Sequence, residues 1–329
     1  MATTEELLGR CVGAWCPGAT GIDNAKRLSG GASQETWSFD IVRPGGVIGA
    51  ILRRAPQGYG AAPERAAGLA AEAVLMQRAY EAGVPSPRVM HVLAPEDGLG
   101  TGFIMDRVAG ATIPRKILRD EEFAGTRPKL ARQLGGVLAT IHGLPLAQLP
   151  ELRRMTAAAE IAELERDYRA FSQPRPVFEL ALKWLRDNDP GPSAQVTLVH
   201  GDFRHGNLII GADGIRAVLD WELAHLGDPM EDLGWICVNS WRFGEIDKPV
   251  GGFGTREELF AGYEAAGRRA DPARVMFWEV MGTLRWGVMC CGMMQRFRTS
   301  PERSIERAMI GRRSSETEID LLRLLAPRT

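Results

Sequence analysis

The sequence predicts an α+β chain with a bilobal plan. A small N-terminal lobe carries an antiparallel β-sheet and one main helix, and a larger, mainly helical lobe follows. Three observations predict this. β-prone segments separated by Gly- and Pro-containing turns fill residues 26–53. From Pro128 onward the apolar period is mainly that of helices. The shift in composition between the two patterns falls near residues 106–111.

The elements follow in order. Glu5 to Ala14 suits a short helix, and Lys26 to Leu28 reads as a strand entering the turn Ser29-Gly-Gly-Ala-Ser33. Thr36 to Val42 alternates and is rich in β-branched and aromatic residues, so it is a second strand. Arg43-Pro-Gly-Gly46 turns the chain into a third strand, Val47 to Arg53, completing a meander. Glu64 to Ala82 is Ala-rich with an apolar face at Leu69, Ala73, Leu75 and Met76, and Gly83, Pro85 and Pro87 stop it. Val89 to Leu93 and Gly102 to Val108 are strands. Helices are predicted at 129–142, 161–171, 177–188, 228–237, 257–266, 272–296 and 315–325, with three short apolar strands at 197–199, 208–210 and 217–219.

Bulk properties exclude several classes. The 329 residues carry 40 basic and 41 acidic side chains, so no broad basic field invites nucleic acid. The five cysteines form no C-x-x-C pair, which disfavours a zinc site or a disulfide framework and suits a reducing, cytoplasmic setting. Met1 to Arg10 lacks the pattern of a signal peptide. The apolar stretch Trp278 to Phe297 is interrupted by Glu279, Arg285 and Arg296, so it reads as a buried helix and no membrane partner is expected.

The segment that carries chemistry is Leu198-Val-His-Gly-Asp-Phe-Arg-His-Gly-Asn-Leu-Ile-Ile210. Two apolar strands hold a polar loop that presents His200, Asp202, Arg204, His205 and Asn207 together, which is costly unless those groups have work. A second carboxylate, Asp220, stands at the end of the strand after it. Two carboxylates and an amide at strand ends form a plausible hard-cation site, since Mg²⁺ prefers oxygen donors.

The spacing His200-x-Asp202-x-x-x-x-Asn207 followed by Leu219-Asp-Trp-Glu222 resembles the aminoglycoside phosphotransferase family, which belongs to the protein-kinase-like superfamily. Gly227-Asp-Pro-x-x-Asp-Leu233 and Leu138-Ala-Thr-Ile-His142 strengthen the resemblance, which spans about residues 24–300. It implies a protein-kinase-like fold, with residues 1–105 as a nucleotide-binding lobe and 106–329 as a catalytic and substrate-binding lobe. It implies an ATP- and Mg²⁺-dependent transfer of the γ-phosphoryl group to a hydroxyl of a small molecule. Asp202 would accept or orient the hydroxyl proton, and Asn207 and Asp220 would hold Mg²⁺ against the phosphates. Arg204 stands where a cation meets the transferring phosphate; a solvent-facing arginine is the equal alternative. His200 is read as a brace for the loop, Glu222 as a residue within reach of the metal through water, and Asp228 and Asp232 as supporting caps.

The resemblance also populates the first lobe. Ser29, Gly30, Gly31, Ala32 and Ser33 resemble the hairpin loop that covers phosphates, where glycine lets backbone N–H groups approach. No Walker A and no G-x-G-x-x-G is present. Where the family carries a lysine, the third strand has Arg53, which can pair phosphate bidentately. Glu72 is its best carboxylate partner and Glu64 the second. Arg53 followed by a Pro-containing turn resembles the phosphotransferase domains related to those fused to acyl-CoA dehydrogenases. Met105, Asp106 and Val108 resemble the hinge that meets adenine, the latter two through their backbones.

For the acceptor, Trp235, Asn239, Trp278 and Arg285 are candidate pocket residues, with Trp278 and Arg285 on one face of the long helix. Arg285 reads as an anion-binding residue or as a packing residue that snorkels. No acidic funnel for polycations stands out, which argues against aminoglycosides, and the resemblance to the domains related to those fused to acyl-CoA dehydrogenases points instead toward hydroxylated acyl or other small metabolites. A kinase for aminoglycosides, or for choline- or homoserine-like acceptors, is an alternative, and a nucleotide-binding pseudokinase is another.

Overall fold

The computed structural model describes residues 2–28, 34–56, 65–171, 173–300 and 304–326. In chain order these form α1 (Thr4–Trp15), β1 (Gly21–Arg27), β2 (Glu35–Arg43), β3 (Gly46–Arg54), α2 (Leu69–Glu81), β4 (Val89–Val92) and β5 (Gly102–Asp106). Then come α3 (Pro114–Arg119), α4 (Arg127–His142), α5 (Ala157–Arg169), α6 (Pro176–Asp187), β6 (Thr197–Val199), β7 (Leu208–Gly211), β8 (Gly214–Val218) and β9 (His225–Gly227). The chain continues through α7 (Met230–Trp235), α8 (Arg256–Ala265), α9 (Pro272–Thr299), α10 (Ile305–Gly311) and α11 (Ser314–Leu325). The small antiparallel sheet and the helical remainder make the α+β class predicted from sequence. Two compact units emerge: Met1–Thr112 with Leu144–Arg153 and Gly206–Ala224, and Ile113–Gly143 with Arg154–His205 and His225–Thr329.

In the first unit five antiparallel strands run in the order β1-β2-β3-β5-β4. Alternation sorts β3: Ala50 and Leu52 point into a core shared with Phe39, Ile41 and Ile104, while Ile51 and Arg53 face the other way. Leu8 and Val12 of α1, and Cys16 just after it, cover that core. Arg54 lies opposite Gly102 on β5, and a Cβ at Gly102 would stand 2.3 Å from the carbonyl oxygen of Arg53. Only glycine lets the two strands close here. On α2 the apolar residues Leu69, Ala73, Leu75 and Met76 are buried together with Glu72. The helix starts at Leu69, later than the predicted Glu64, because Gly68 adopts φ +83° just before it; Glu64 itself lies outside the described residues. The β7–β8 hairpin belongs to this unit and bridges Ala111 through Ile210.

The second unit is helical around α9, whose buried positions include Phe277, Trp278, Val280, Met281 and Leu284. Its one described two-stranded sheet pairs β6 with β9. The pattern of the sequence does not mark β9, which is three residues long, nor the short helices α3 and α10. All five cysteines are free, and burial pushes the Cys237 and Cys290 thiols up to about 12, where they are unreactive. Among the described residues no helix is long and apolar enough to cross a membrane.

Candidate active site

The first unit contains a cleft of about 470 Å³. Ile51, Met76, Pro87, Met105, Ile209 and Leu219 give it apolar walls, and Lys26, Arg53, Asn207 and Asp220 give it polar ones. Met105, Asp106 and Val108, expected from the sequence at the adenine edge, all line it. The Asp106 N–H is taken by the Arg88 carbonyl at 3.0 Å, which leaves its carbonyl as the group to consider for a base edge. Among the described residues the Val108 N–H has no partner. Ser29, Gly30, Gly31, Ala32 and Ser33 lie outside the described residues. Arg107 also lines the cleft, held by Asp40 Oδ1 at 2.6 Å and Ser38 Oγ at 3.0 Å. Donation from Asn24 and from Arg107 keeps the Asp40 carboxyl below its usual range.

Arg53 is the centre of charge in this cleft. Its Nη1 stands 3.3 Å from Glu72 Oε1, and its Nη2 stands 2.6 Å from Asp220 Oδ1 and 3.7 Å from Glu222 Oε2. Its Nε donates to Gln34 Oε1. One guanidinium thus meets three carboxylates, with Nη1 toward Glu72 and Nη2 toward Asp220 and Glu222. Glu72 is fully buried. Burial pushes its carboxyl up to about 7, with the charges of Asp220 and Glu222 in the same direction and Arg53 opposing them. The Trp221 N–H donates to Glu72 Oε1 at 3.3 Å, while Oε2 is buried without a hydrogen-bond partner among the described residues. Glu72 therefore stands where the sequence expectation put the partner of Arg53. Gln34 carries no sequence signal beyond following the Gly/Ser turn, and Lys26 and Arg107 carry none.

Asp220, two residues past β8, sits in the left-handed region, φ +66° and ψ +66°, an uncommon conformation for a residue with a side chain. The Leu219 N–H donates to the Asn207 carbonyl at 2.8 Å, so the residues expected to hold a metal sit on neighbouring backbone and line one cleft. No group of three or more His, Cys, Asp or Glu side chains among the described residues is arranged to hold a metal. An amide and a carboxylate nonetheless fit Mg²⁺, which keeps waters and takes phosphate oxygens as its other ligands. The surplus of carboxylates over guanidinium and the orphaned oxygen of Glu72 fit a divalent cation as well.

In the second unit the loop after β6 is pinned from below. Asp232 on α7 accepts from the His200 N–H at 2.8 Å, the Gly201 N–H at 2.9 Å and His142 Nε2 at 3.0 Å. His142 Nδ1 is 2.9 Å from the Tyr263 hydroxyl. Gly201 takes φ +80°, which a side chain would resist. The Asp202 N–H then donates to His200 Nδ1 at 3.2 Å, the bracing role expected of that imidazole. The Asp202 carboxylate, nearly buried, accepts at Oδ1 from Trp235 Nε1 and from Arg204 Nε, each at 2.9 Å. Arg204 also donates from Nη1 to the His205 carbonyl and lies 4.7 Å from the centre of the Trp241 ring. Its side chain is neither free in solvent nor fully enclosed. His205 donates to the Gly251 carbonyl, and burial pushes its pKa down to about 4.

The expected acceptor residues are dispersed. Trp235 holds Asp202, as described. Trp278 is buried and donates to Asp228 Oδ2 at 3.0 Å, a carboxylate that also binds Arg274 at 2.6 Å. Asn239 donates to Asp320 Oδ1 at 2.8 Å and lines a separate cavity of about 280 Å³ with Arg313 and Arg323. Arg285 pairs with Glu231 Oε1 at 2.9 Å, donates to the Gly201 carbonyl at 3.2 Å and lies 4.2 Å from the centre of the Trp235 ring. Both arms of that guanidinium are spent on the protein. A ladder of indoles, Trp235 on Trp241 and Trp241 on Trp286, carries Arg285, Arg204 and Arg313 on its three rings.

Comparison with known proteins gives this geometry a setting. The model of the phosphotransferase enzyme family matches residues 24–278. Acyl-CoA dehydrogenase family member 10 of Mus musculus is 30% identical over 200 residues, covering 57% of this chain and 18% of that protein. Acyl-CoA dehydrogenase family member 11 of Gallus gallus is 28% identical over 250 residues, covering 71% of this chain and 30% of that protein. The chain therefore spans less than a third of either relative. Among solved structures, a Ralstonia eutropha protein classed with the aminoglycoside phosphotransferases superposes with a TM-score of 0.72 at 21% identity, covering 97% of each chain. An aminoglycoside phosphotransferase crystallised with AMP-PNP and hygromycin B superposes with a TM-score of 0.63 at 16% identity, covering all of both chains. At these identities the likeness is one of fold.

Proposed function

We propose, for a chain that belongs to the phosphotransferase enzyme family, that it transfers the γ-phosphoryl group of ATP, with Mg²⁺, to a hydroxyl of a small metabolite. The observation that carries this reading is the Asp202 carboxylate, gripped at one oxygen by Trp235 and Arg204 on a loop clamped by Asp232. In phosphoryl transfer the protein contributes positioning and electrostatics more than covalent chemistry. Asp202 accepts the hydroxyl proton, and the two donors fix which oxygen faces the acceptor. Arg204 meets the charge of the phosphoryl group. Asn207 and Asp220 hold the metal, which when bound neutralises phosphate charge. Arg53 binds phosphate oxygens while Glu72 anchors its other arm. The apolar walls of the cleft, with the carbonyl of Asp106 and the N–H of Val108, hold the base. The complete set Asp202, Asn207 and Asp220 weighs against a nucleotide-binding pseudokinase, and Arg53 pairs with Glu72.

The acceptor is a neutral or anionic hydroxyl compound, a hydroxyacyl compound among them. The structural neighbour that holds hygromycin B raises a polycation as the other reading. Quaternary ammonium groups and polycations seek bare aromatic faces and carboxylates. The indole ladder near Asp202 already carries three guanidinium groups, which repel such a ligand.

The test is a panel of hydroxy acids, acyl thioesters, amino alcohols and aminoglycosides, scored by ADP formation with ATP and Mg²⁺. Asp202→Asn is expected to bind nucleotide as the wild type does and to lose at least ~100-fold in turnover. Undiminished turnover in that variant removes Asp202 from its role. Efficient phosphorylation of aminoglycosides alone removes the acceptor class.

A further inference from the structure

Arg53 has a second relationship that pairing with Glu72 does not require. Its closest carboxylate contact is with Asp220, at 2.6 Å, against 3.3 Å to Glu72. The residue read above as a metal holder is thus already paired with a resident cation. The left-handed backbone at Asp220 and the register of β3 fix both partners, so the contact follows from the fold rather than from wandering side chains. Glu222 Oε2, at 3.7 Å, and Gln34 surround the same guanidinium. The fork of the arginine reaches Glu72 with one arm and Asp220 with the other.

We propose that Arg53 is a built-in counter-ion for Asp220, which a divalent cation must displace, so that metal and nucleotide enter the cleft together. This rests on reading Asp220 as a metal holder. In the absence of phosphate, a metal approaching Asp220 must break a partly buried ion pair and leave Arg53 to Glu72 and Glu222. When a nucleotide is present, its phosphates offer Arg53 a bidentate partner of equal charge, and Asp220 is released. The exchange couples the two ligands: each raises the affinity of the other by the same factor.

The experiment uses Mn²⁺ as the probe and electron paramagnetic resonance of the full chain as the readout, first without nucleotide and then with AMP-PNP. The wild type should bind Mn²⁺ weakly alone and much more tightly with AMP-PNP. Arg53→Gln should bind Mn²⁺ alone ~10-fold more tightly than the wild type, with a smaller gain from AMP-PNP. Adding Asp220→Asn to that variant should abolish the gain in affinity. Arg53→Met, which removes the charge but keeps an unbranched chain in the cleft, should also bind Mn²⁺ alone more tightly than the wild type, and it decides the matter if the glutamine variant does not fold. Equal or weaker Mn²⁺ binding in the variants overturns the proposal, as does tight binding that survives Asp220→Asn. These titrations need no acceptor and no turnover, so a failure to find a phosphorylated acceptor would register separately. Absence of Mn²⁺ binding in every form, AMP-PNP included, overturns both this proposal and the metal role of Asp220.

Discussion

The indole N–H of Trp235 donates to Asp202 Oδ1 at 2.9 Å from a ring that is almost wholly buried. Asp202 and Trp235 lie 33 residues apart, on the loop after β6 and at the end of α7. A buried donor aimed at a carboxylate selects one orientation of it, and a hydrogen bond to a charged group is worth about 1.5–3 kcal/mol.

Trp235→Phe keeps the ring under Arg285 and against Trp241 but removes that donor. The kcat should fall by roughly 10–100-fold, that energy expressed as a rate, while the KM for ATP stays close to the wild-type value. Steady-state kinetics beside the Asp202→Asn variant would show this. A phenylalanine variant with full kcat would mean that the indole only fills space.

Arg285 separates a bracing role from a ligand-binding one. Glu231 is buried; burial pushes its carboxyl up, yet His225 and Arg285 more than offset that and hold it below its usual range. Arg285→Met would leave that carboxylate with His225 alone and release the Gly201 carbonyl. Breaking a buried pair in this way costs about 3–5 kcal/mol. Denaturant unfolding should show the loss, and kcat should fall with the loosened loop while the acceptor KM holds. A stable variant with a raised acceptor KM would instead place Arg285 against the substrate.

Much of this was legible in the sequence, and the gaps have a physical cause. Asp202 and Asn207 can be read because a short polar loop between apolar strands fixes them by local spacing, and Asp220 because it follows the next short apolar strand. Glu72 can be read because it interrupts the apolar face of an otherwise regular helix. Gln34 and Glu222 as neighbours of Arg53 cannot, since those contacts span 19 and 169 residues and no periodicity records them. The partners of Trp278 and Arg285 are hidden for the same reason: a helix pattern says which residues turn inward, not which buried carboxylates await them. The strand β9 is hidden because three residues carry no measurable alternation.

Gly102 should be intolerant of the smallest side chain. Alanine there would place Cβ 2.3 Å from the Arg53 carbonyl oxygen and 2.7 Å from the Arg54 Cα, backbone atoms that cannot swing aside. The strands β3 and β5 would have to part, at a cost of about 1–3 kcal/mol for overpacking. Because Arg53 rides on β3, affinity for AMP-PNP should fall along with the urea midpoint. A variant that loses stability but keeps wild-type affinity would show that the position of Arg53 does not depend on this close approach.

Asp232 should make the acid limit of stability visible. Its carboxylate is completely buried, which pushes its pKa up, but the hydrogen bond to His142 and the His200 N–H outweigh burial and hold it below the usual value. A carboxyl held lower in the folded chain than in the unfolded one adds stability at pH values above the unfolded pKa, about 3.9. That stability drains away as pH falls through the folded value, because the unfolded chain takes up its proton first. Asp232→Asn removes the titrating group and leaves one of the loop N–H donors facing an amide. Unfolding by urea at pH 7 should show the variant weaker by about 3–5 kcal/mol. Between pH 5 and pH 3, a window around that reference value, the wild type should lose stability more steeply than the variant, so the two curves converge. Parallel curves would mean that Asp232 does not change its protonation on unfolding, and that the clamp on His200 and Gly201 draws its strength from geometry alone.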